Sequence, residues 1–346
     1  MLLTEVRENI DKHLAGVTEG VKVRAYWRGD LKVNIDIGKT YQYYDLASLT
    51  KIMFTVAWFM KESEESRFSV DDKVSGYLSW YPHTEVSFGQ LLSHSAGHRA
   101  WTGFYETLNR DMGAKSKSFS QNMMPLLRNE SLEAPGRSIY SDIDFLILGC
   151  AMEEISGKSL LTLWKELNEE LNLKDTGFNP DNDPRFSRSA YAPTEKCQWR
   201  NKVIQGEVHD DNTWSLGGVS SHAGLFGTIE DLVSFGILLR KIFWGDTSGF
   251  VRPETLRRFT QNATSSADWG LGFMKPSRPK SSAGSKFSAE SFGHTGFTGT
   301  SIWYDPKADL LVCILSNRTY PDRNNFRFRD ELRPWIHDWI YEALCS

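Results

Sequence analysis

The sequence predicts an α/β fold of the α+β kind: an antiparallel sheet flanked by helices, formed from both termini, with an inserted, mostly helical domain. Three observations carry this. Near the start, Leu31-Lys32-Val33-Asn34-Ile35-Asp36-Ile37 alternates apolar and polar residues, the two-residue period of a half-buried strand. Near the end, Thr300-Ser301-Ile302-Trp303-Tyr304 and the run from Leu310 to Leu315 return to β character around a turn at residues 305–309. Between them, residues 76–204 read as helix and loop. The expected division is residues 1–75 and 205–346 for the sheet domain and 76–204 for the helical insertion, with an active site in the cleft between them.

The elements follow in order. Leu3, Val6, Ile10, Leu14 and Val17 recur at helical spacing, with Thr4 as the expected cap. Lys22 to Trp27 and the alternating segment form a hairpin through Arg28-Gly29-Asp30. Thr50 to Met60 is apolar on nearly every side, which requires a helix buried all round. Helical patterns cover Phe145 to Ile155 and Leu160 to Leu171, with loop punctuation at residues 179–184. Residues 277–288 read as an exposed loop. A last amphipathic helix, about residues 332 to 344, runs through Leu332, Ile336, Trp339, Ile340 and Leu344.

Composition narrows the classes. A chain of 346 residues buries about 75% of its unfolded surface and needs no disulfide or metal staple. Cys150, Cys197, Cys313 and Cys345 show no C-x-x-C and no metal spacing. The net charge of −4, with only short basic clusters such as Lys115-Ser116-Lys117, gives no nucleic-acid footprint. No run of 18 apolar residues exists to span a membrane. Glu5, Arg7, Glu8, Asp11 and Lys12 interrupt any leader-like core, so the sequence as it stands predicts a cytoplasmic protein. A periplasmic or extracellular place is expected if a leader has been removed. The 12 Trp are assigned first to core packing.

The chemistry begins at Ser48-Leu49-Thr50-Lys51. Residues three apart on a helix share a face, so the hydroxyl and the amine can meet. At a helix start, free backbone N–H groups and the dipole favour an oxyanion. Burial and that same field are expected to lower the Lys51 pKa toward a neutral amine that takes the Ser48 proton. Ser277-Arg278-Pro279-Lys280 matches the spacing, but its proline and hydrophilic setting argue against it. His94 and His98 lack the intervening Glu of a zinc helix, and Ser93-His94-Ser95-Ala96-Gly97 lacks the first glycine of a G-x-S-x-G elbow. No metal and no cofactor are expected.

With those residues in place, Asp45-Leu46-Ala47-Ser48-Leu49-Thr50-Lys51 resembles the nucleophile motif of the serine β-lactamase-like and penicillin-binding superfamily. The likeness is to its class C β-lactamase, DD-peptidase and family VIII esterase branch. Residues 91–97, 135–142 and Gly293-His294-Thr295-Gly296-Phe297-Thr298-Gly299 fit in order. Residues 206–212, followed by Leu216-Gly217-Gly218 and 222–226, resemble one subgroup. The resemblance implies a β-lactamase/transpeptidase-like fold and acyl transfer, with Ser48, Lys51 and Tyr140 catalytic. Asp142 stands where the family usually has an Asn that binds the substrate amide. His294, Thr295 and Gly296 match the strand that holds a substrate carboxylate; a His there is expected to be partly charged near neutrality. The Ser48 and Phe297 N–H groups would form the oxyanion hole. The implied partner is a small molecule or peptide: a D-amino-acid peptide, a muropeptide or a β-lactam. A carboxylesterase, or a penicillin-binding sensor without turnover, are the alternatives.

Overall fold

Five strands form the central sheet: β1 (Gly20–Trp27), β2 (Asp30–Gly38), β3 (Phe292–Thr295), β4 (Ser301–Asp305) and β5 (Leu310–Ser316). Every pairing is antiparallel and the order is β2-β1-β5-β4-β3, so strands from both ends of the chain meet at the β1–β5 pair. The structure is a computed structural model describing residues 1–109, 117–133, 138–183, 186–247, 249–263, 268–277 and 279–346. Residues 115, 116, 135–137, 184 and 278, which enter the sequence readings above, lie outside those described.

The hairpin turn is tighter than the sequence suggests. Arg28 and Gly29 both take positive φ, 54° and 87°, the twist a two-residue connection needs. Asp30 already belongs to β2, paired with Trp27. Along β2, Val33, Ile35 and Ile37 are buried as the alternation predicts, while Leu31 is exposed.

Alternation divides the sheet between two cores. Leu310, Val312 and Ile314 point to one face with Val21, Val23 and Trp303, where Val6 and Ile10 of the helix Leu3–Leu14 and Ile336 and Ile340 of the helix Arg333–Cys345 cover them. Leu311, Cys313 and Leu315 point to the other face, under Leu232, Phe235 and Leu239 of the helix Ile229–Phe243. The first helix does not use Thr4 as its cap. Leu2 takes that position, and Glu5 Oε2 accepts a hydrogen bond from its N–H at 2.8 Å.

The apolar run predicted to be buried all round is so: every residue from Leu49 to Met60 is buried. It opens as a wide π-helical segment, Lys51–Val56, and continues as the α-helix Ala57–Glu64; such wide turns recur at functional sites. The helix Asp142–Ser156 crosses the same core with Ile143 and Phe145 to Met152 buried. All four cysteines are free thiols. Among the described residues, no helix is long and apolar enough to cross a membrane.

Candidate active site

Ser48 sits in the turn just before the buried helix, with Lys51 N–H bonded back to Ser48 O at 3.0 Å. The turn is held by Asp45, which is buried. Its Oδ1 accepts from Ala47 N–H at 2.8 Å and its Oδ2 from His209 N–H at 2.7 Å. Ala47 is left-handed, φ 48°, a conformation that costs an L-residue about 1–2 kcal/mol. The turn following β3 clamps the same loop: Thr298 Oγ1 donates to Asp45 O at 2.7 Å and Thr300 Oγ1 to Leu46 O at 3.0 Å. Gly296 lies so close that a Cβ there would come within 2.0 Å of Thr300 Oγ1 and 2.6 Å of Leu46 O.

Tyr140 and Asp142 reach the serine from 92 and 94 positions along the chain. Ser141 caps the helix Asp142–Ser156, accepting from Asp144 N–H and donating to Arg99 O. Asp142 N–H donates to Ala100 O and Ile139 N–H to His94 O, both at 2.9 Å. The Ser93–Gly97 stretch is therefore a bracket for Tyr140 rather than a nucleophile elbow. Beneath it His98 Nδ1 meets Asp144 Oδ1 at 2.7 Å, and Ser141 N–H donates to His94 Nδ1 at 3.1 Å. The same His94 Nδ1 lies 3.4 Å from Asp144 Oδ2.

The structure brings Ser48, Lys51, Tyr140 and Asp142 together in one chain of contacts. Tyr140 Oη donates to Ser48 Oγ at 2.8 Å. Lys51 Nζ lies 2.7 Å from Tyr140 Oη, 2.7 Å from Asp142 Oδ1, 3.2 Å from Ser48 Oγ and 3.3 Å from His222 O. Lys51 is fully buried. Burial acts to discharge it, yet the Asp142 carboxylate and Tyr140 outweigh burial and hold its pKa above the ordinary lysine value. The expected neutral amine is thus corrected: Lys51 is an ammonium. Burial raises the Tyr140 pKa, with the Lys51 charge opposing.

His294 also departs from expectation. Its ring is 1% exposed and packs near Tyr140 and Trp269, with Nδ1 bonded to Thr295 O at 2.9 Å. Burial, aided by the Lys51 charge, lowers its pKa to about 3, so it is neutral at physiological pH and carries no charge for a substrate carboxylate. β3 is an edge strand, but the backbone of Met274 pairs with Gly293 and covers it. Thr295 Oγ1 turns to Met274 Sδ. Neither the Ser48 nor the Phe297 N–H has a hydrogen-bond acceptor among the described residues, and both residues line one cavity of about 400 Å³.

Beside Phe297, the walls of that cavity include residues to which sequence reasoning gave no role, Trp101 and Arg323 among them. His209-Asp210-Asp211-Asn212 is their hub. His209 stacks on the exposed Phe297 ring at 5.6 Å. Asp210 accepts from Thr213 N–H and contacts His222 Nε2 at 3.2 Å; burial alone would raise its carboxyl, but His222 and the Thr213 N–H hold it far below the ordinary range. Asp211 is bonded by Arg200, Arg323 and Trp199 Nε1. Asn212 fastens the 102–105 segment, accepting from Tyr105 N–H and donating to Thr102 O, both at 2.8 Å. Behind Phe297, the Arg318 guanidinium lies 4.5 Å from the ring centre and donates to Arg323 O and Asn325 O. The resemblance of residues 206–212 to one subgroup was the signal that marked the hub. Asp142, Asp210 and His222 place ligand-type atoms within 4.8 Å of one another; there the Lys51 ammonium already holds Asp142.

The profile of the Beta-lactamase family matches residues 15–332. The chain belongs to that family. A curated Escherichia coli K12 protein described as "Putative D-alanyl-D-alanine carboxypeptidase" is 29% identical over 338 residues, covering 87% of this chain and 77% of that one. Its Salmonella typhimurium counterpart is 31% identical over 345 residues with the same coverage. Solved structures share the fold. "EstCE1, a hydrolase with promiscuous acyltransferase activity" superposes with a TM-score of 0.71 at 20% identity, over 97% of this chain and 98% of its own. A class C β-lactamase from Rhodobacter sphaeroides gives 0.67 at 18% identity, over 97% and 99%. The chain is a serine hydrolase of β-lactamase fold with the antiparallel sheet and flanking helices expected of it.

Proposed function

We propose that Ser48 is the nucleophile of an acyl-transfer reaction in which Tyr140, Lys51 and Asp142 form a proton relay. The observation that carries this is the unbroken line Ser48 Oγ–Tyr140 Oη–Lys51 Nζ–Asp142 Oδ1, each contact 2.7–2.8 Å. Because Lys51 is held as an ammonium, it does not serve as a free base. As Ser48 Oγ bonds to the carbonyl carbon, the Tyr140–Ser48 and Lys51–Tyr140 hydrogen bonds reverse: the serine proton passes to Tyr140 Oη, the tyrosine proton to Lys51, and Lys51 gives one to Asp142. The Ser48 and Phe297 N–H groups hold the oxyanion. When the C–O or C–N bond to the leaving group breaks, the relay runs backward and Tyr140 protonates that group. Water then releases the acyl group by the same steps. A complete relay speaks against a sensor without turnover.

For substrate, the first reading is a D-amino-acid peptide or muropeptide, with β-lactams as related acyl donors; the names and coverage of the curated relatives support it. The second is a carboxylesterase, favoured by the neutral His294. Our reading of the architecture stays a sheet domain (1–75, 205–346) and a helical insertion (76–204) with this cleft between them.

The relay has a pH signature. Wild-type kcat/KM on p-nitrophenyl acetate is expected to stay level from about pH 6 to 9, whereas a free-lysine base requires a rise through that range. A slope approaching tenfold per pH unit up to the alkaline end would overturn the relay. In Asp142→Asn the carboxylate no longer opposes burial, so the Lys51 pKa falls and such a slope is expected to emerge. Running the same profile on a D-Ala-D-Ala peptide and a chromogenic cephalosporin separates the substrate readings.

A further inference from the structure

Three exposed aromatic side chains stand on or beside the Ser48 cavity. Trp101 is 47% exposed and Phe297 43%, and both line it. Trp199, 42% exposed, continues the Trp101 wall through Tyr105: the Trp101 and Tyr105 rings lie 6.3 Å apart, and Tyr105 stacks on Trp199 at 5.1 Å. Ala47, Ala100 and Ala223 add apolar surface to a lining that also holds Asp142, His209, Asp210, Asp211, His222 and Arg323. The shelf is built, not incidental. Asn212, 1% exposed, holds the backbone on either side of Phe104, and Asp211 holds the Trp199 indole N–H at 3.2 Å.

The charges around this lining are satisfied by protein. Arg323, the arginine that faces the cavity, makes three contacts of 2.8–3.2 Å to Glu195 and Asp211, plus one shorter still. Lys51 on the floor is paired with Asp142, and His222 with Asp210. Among the described residues lining the cavity, no cation is left without a carboxylate partner. A substrate carboxylate entering here would lose water and gain no free positive charge. A flat apolar group has no charge of its own to desolvate and covers the exposed ring surfaces.

We infer that the cavity between Trp101 and Phe297, with the Tyr105–Trp199 shelf beyond it, binds an uncharged aromatic group carried on the acyl side of the substrate. The acyl side is chosen because the cavity is continuous with Ser48. The acyl group stays bonded to that oxygen while the leaving group departs. This deepens the proposed function and rests on Ser48 being the nucleophile.

The test keeps the leaving group constant. Hydrolysis of p-nitrophenyl acetate, phenylacetate and 3-carboxypropanoate is followed in the wild type, Trp101→Ala and Trp244→Ala. Trp244 is an exposed tryptophan outside the cavity lining. The wild type is expected to favour the phenylacetyl ester over the acetyl by roughly tenfold or more in kcat/KM, and to disfavour the carboxylate ester. Trp101→Ala is expected to cut the phenylacetyl rate roughly tenfold more than the acetyl rate, and Trp244→Ala to leave the preference intact. Equal losses on both esters in Trp101→Ala, or a wild-type preference for the carboxylate ester, overturn the inference. Labelling of Ser48 by a fluorophosphonate is read in parallel. If labelling fails, the nucleophile assignment fails; if it succeeds without the aryl preference, only the subsite does.

Discussion

The floor and the walls of the Ser48 cavity are built in opposite ways. The floor is a short polar line, buried and charge-matched, in which Ser48, Tyr140, Lys51 and Asp142 touch in sequence. It rests on His94, His98 and Asp144, all buried. The walls are aromatic and partly exposed, drawn from Trp101 and Phe297 with Trp199 beyond them, and tied together by the 209–212 hub. Low dielectric strengthens each contact of the floor and penalises any loss of a partner. Exposed ring surface adapts at little cost. Chemistry is thereby fixed and selectivity left adjustable within one cavity.

That contrast can be broken or sharpened by experiment. The largest effect belongs to the floor: Ser48→Ala is expected to lower turnover of every ester or peptide tested by at least about a thousandfold and to abolish fluorophosphonate labelling. Retained labelling would move the nucleophile elsewhere. A smaller effect belongs to the walls. Asn212→Ala leaves Tyr105 N–H and Thr102 O without their partner, at a cost of about 1–3 kcal/mol to stability. In this variant KM is expected to rise more than kcat falls, in the manner of lost binding rather than lost chemistry. A fall confined to kcat would place the hub in the floor instead.

The smallest and most gradual effect is acid sensitivity. Burial lowers the pKa of His94 and His98 to about 4 and of His294 to about 3. Their folded values lie below the ordinary histidine value of 6.5, so their contribution is present above that pH and lost as pH falls through it toward 4. Asp144, raised by burial to about 6, works the other way and gains as it protonates. His337, lowered to about 4, adds to these rings, and the raised carboxyls of Asp45 and Glu62 add to Asp144. The shifts of the four rings dominate, so the melting temperature is expected to drop steadily between about pH 6.5 and 4. A flat melting curve over that interval would show that these rings do not control stability.

The same contrast explains what the sequence revealed. Strict alternation in β2 and the all-round apolar run after Ser48 are local patterns, and both elements formed where they were read. The Ser48–Lys51 spacing is local too. The protonation of Lys51 is not, because burial and the Asp142 charge oppose each other and that carboxylate comes from 91 residues away. His294 belongs to a four-residue edge strand, and its burial depends on the 269–274 segment covering it. The exposed tryptophans were hidden by composition. A count of 12 Trp suggests core, while the position of Trp101 or Trp199 on a wall depends on Asn212 and Asp211, about a hundred and a dozen residues away respectively.

Ala47 offers a consequence for anyone reshaping this protein. Its left-handed backbone would suit glycine better, and replacing it would return about 1 kcal/mol of conformational strain. Yet its methyl group faces the place where Gly296 has none; a Cβ on that glycine would lie 3.4 Å away. The strained alanine stiffens the loop that aims Ser48, and the bare glycine lets the neighbouring strand close over it. Stability and reactivity therefore pull in opposite directions at position 47, and a search for thermostable variants would tend to relax the very loop that presents the nucleophile.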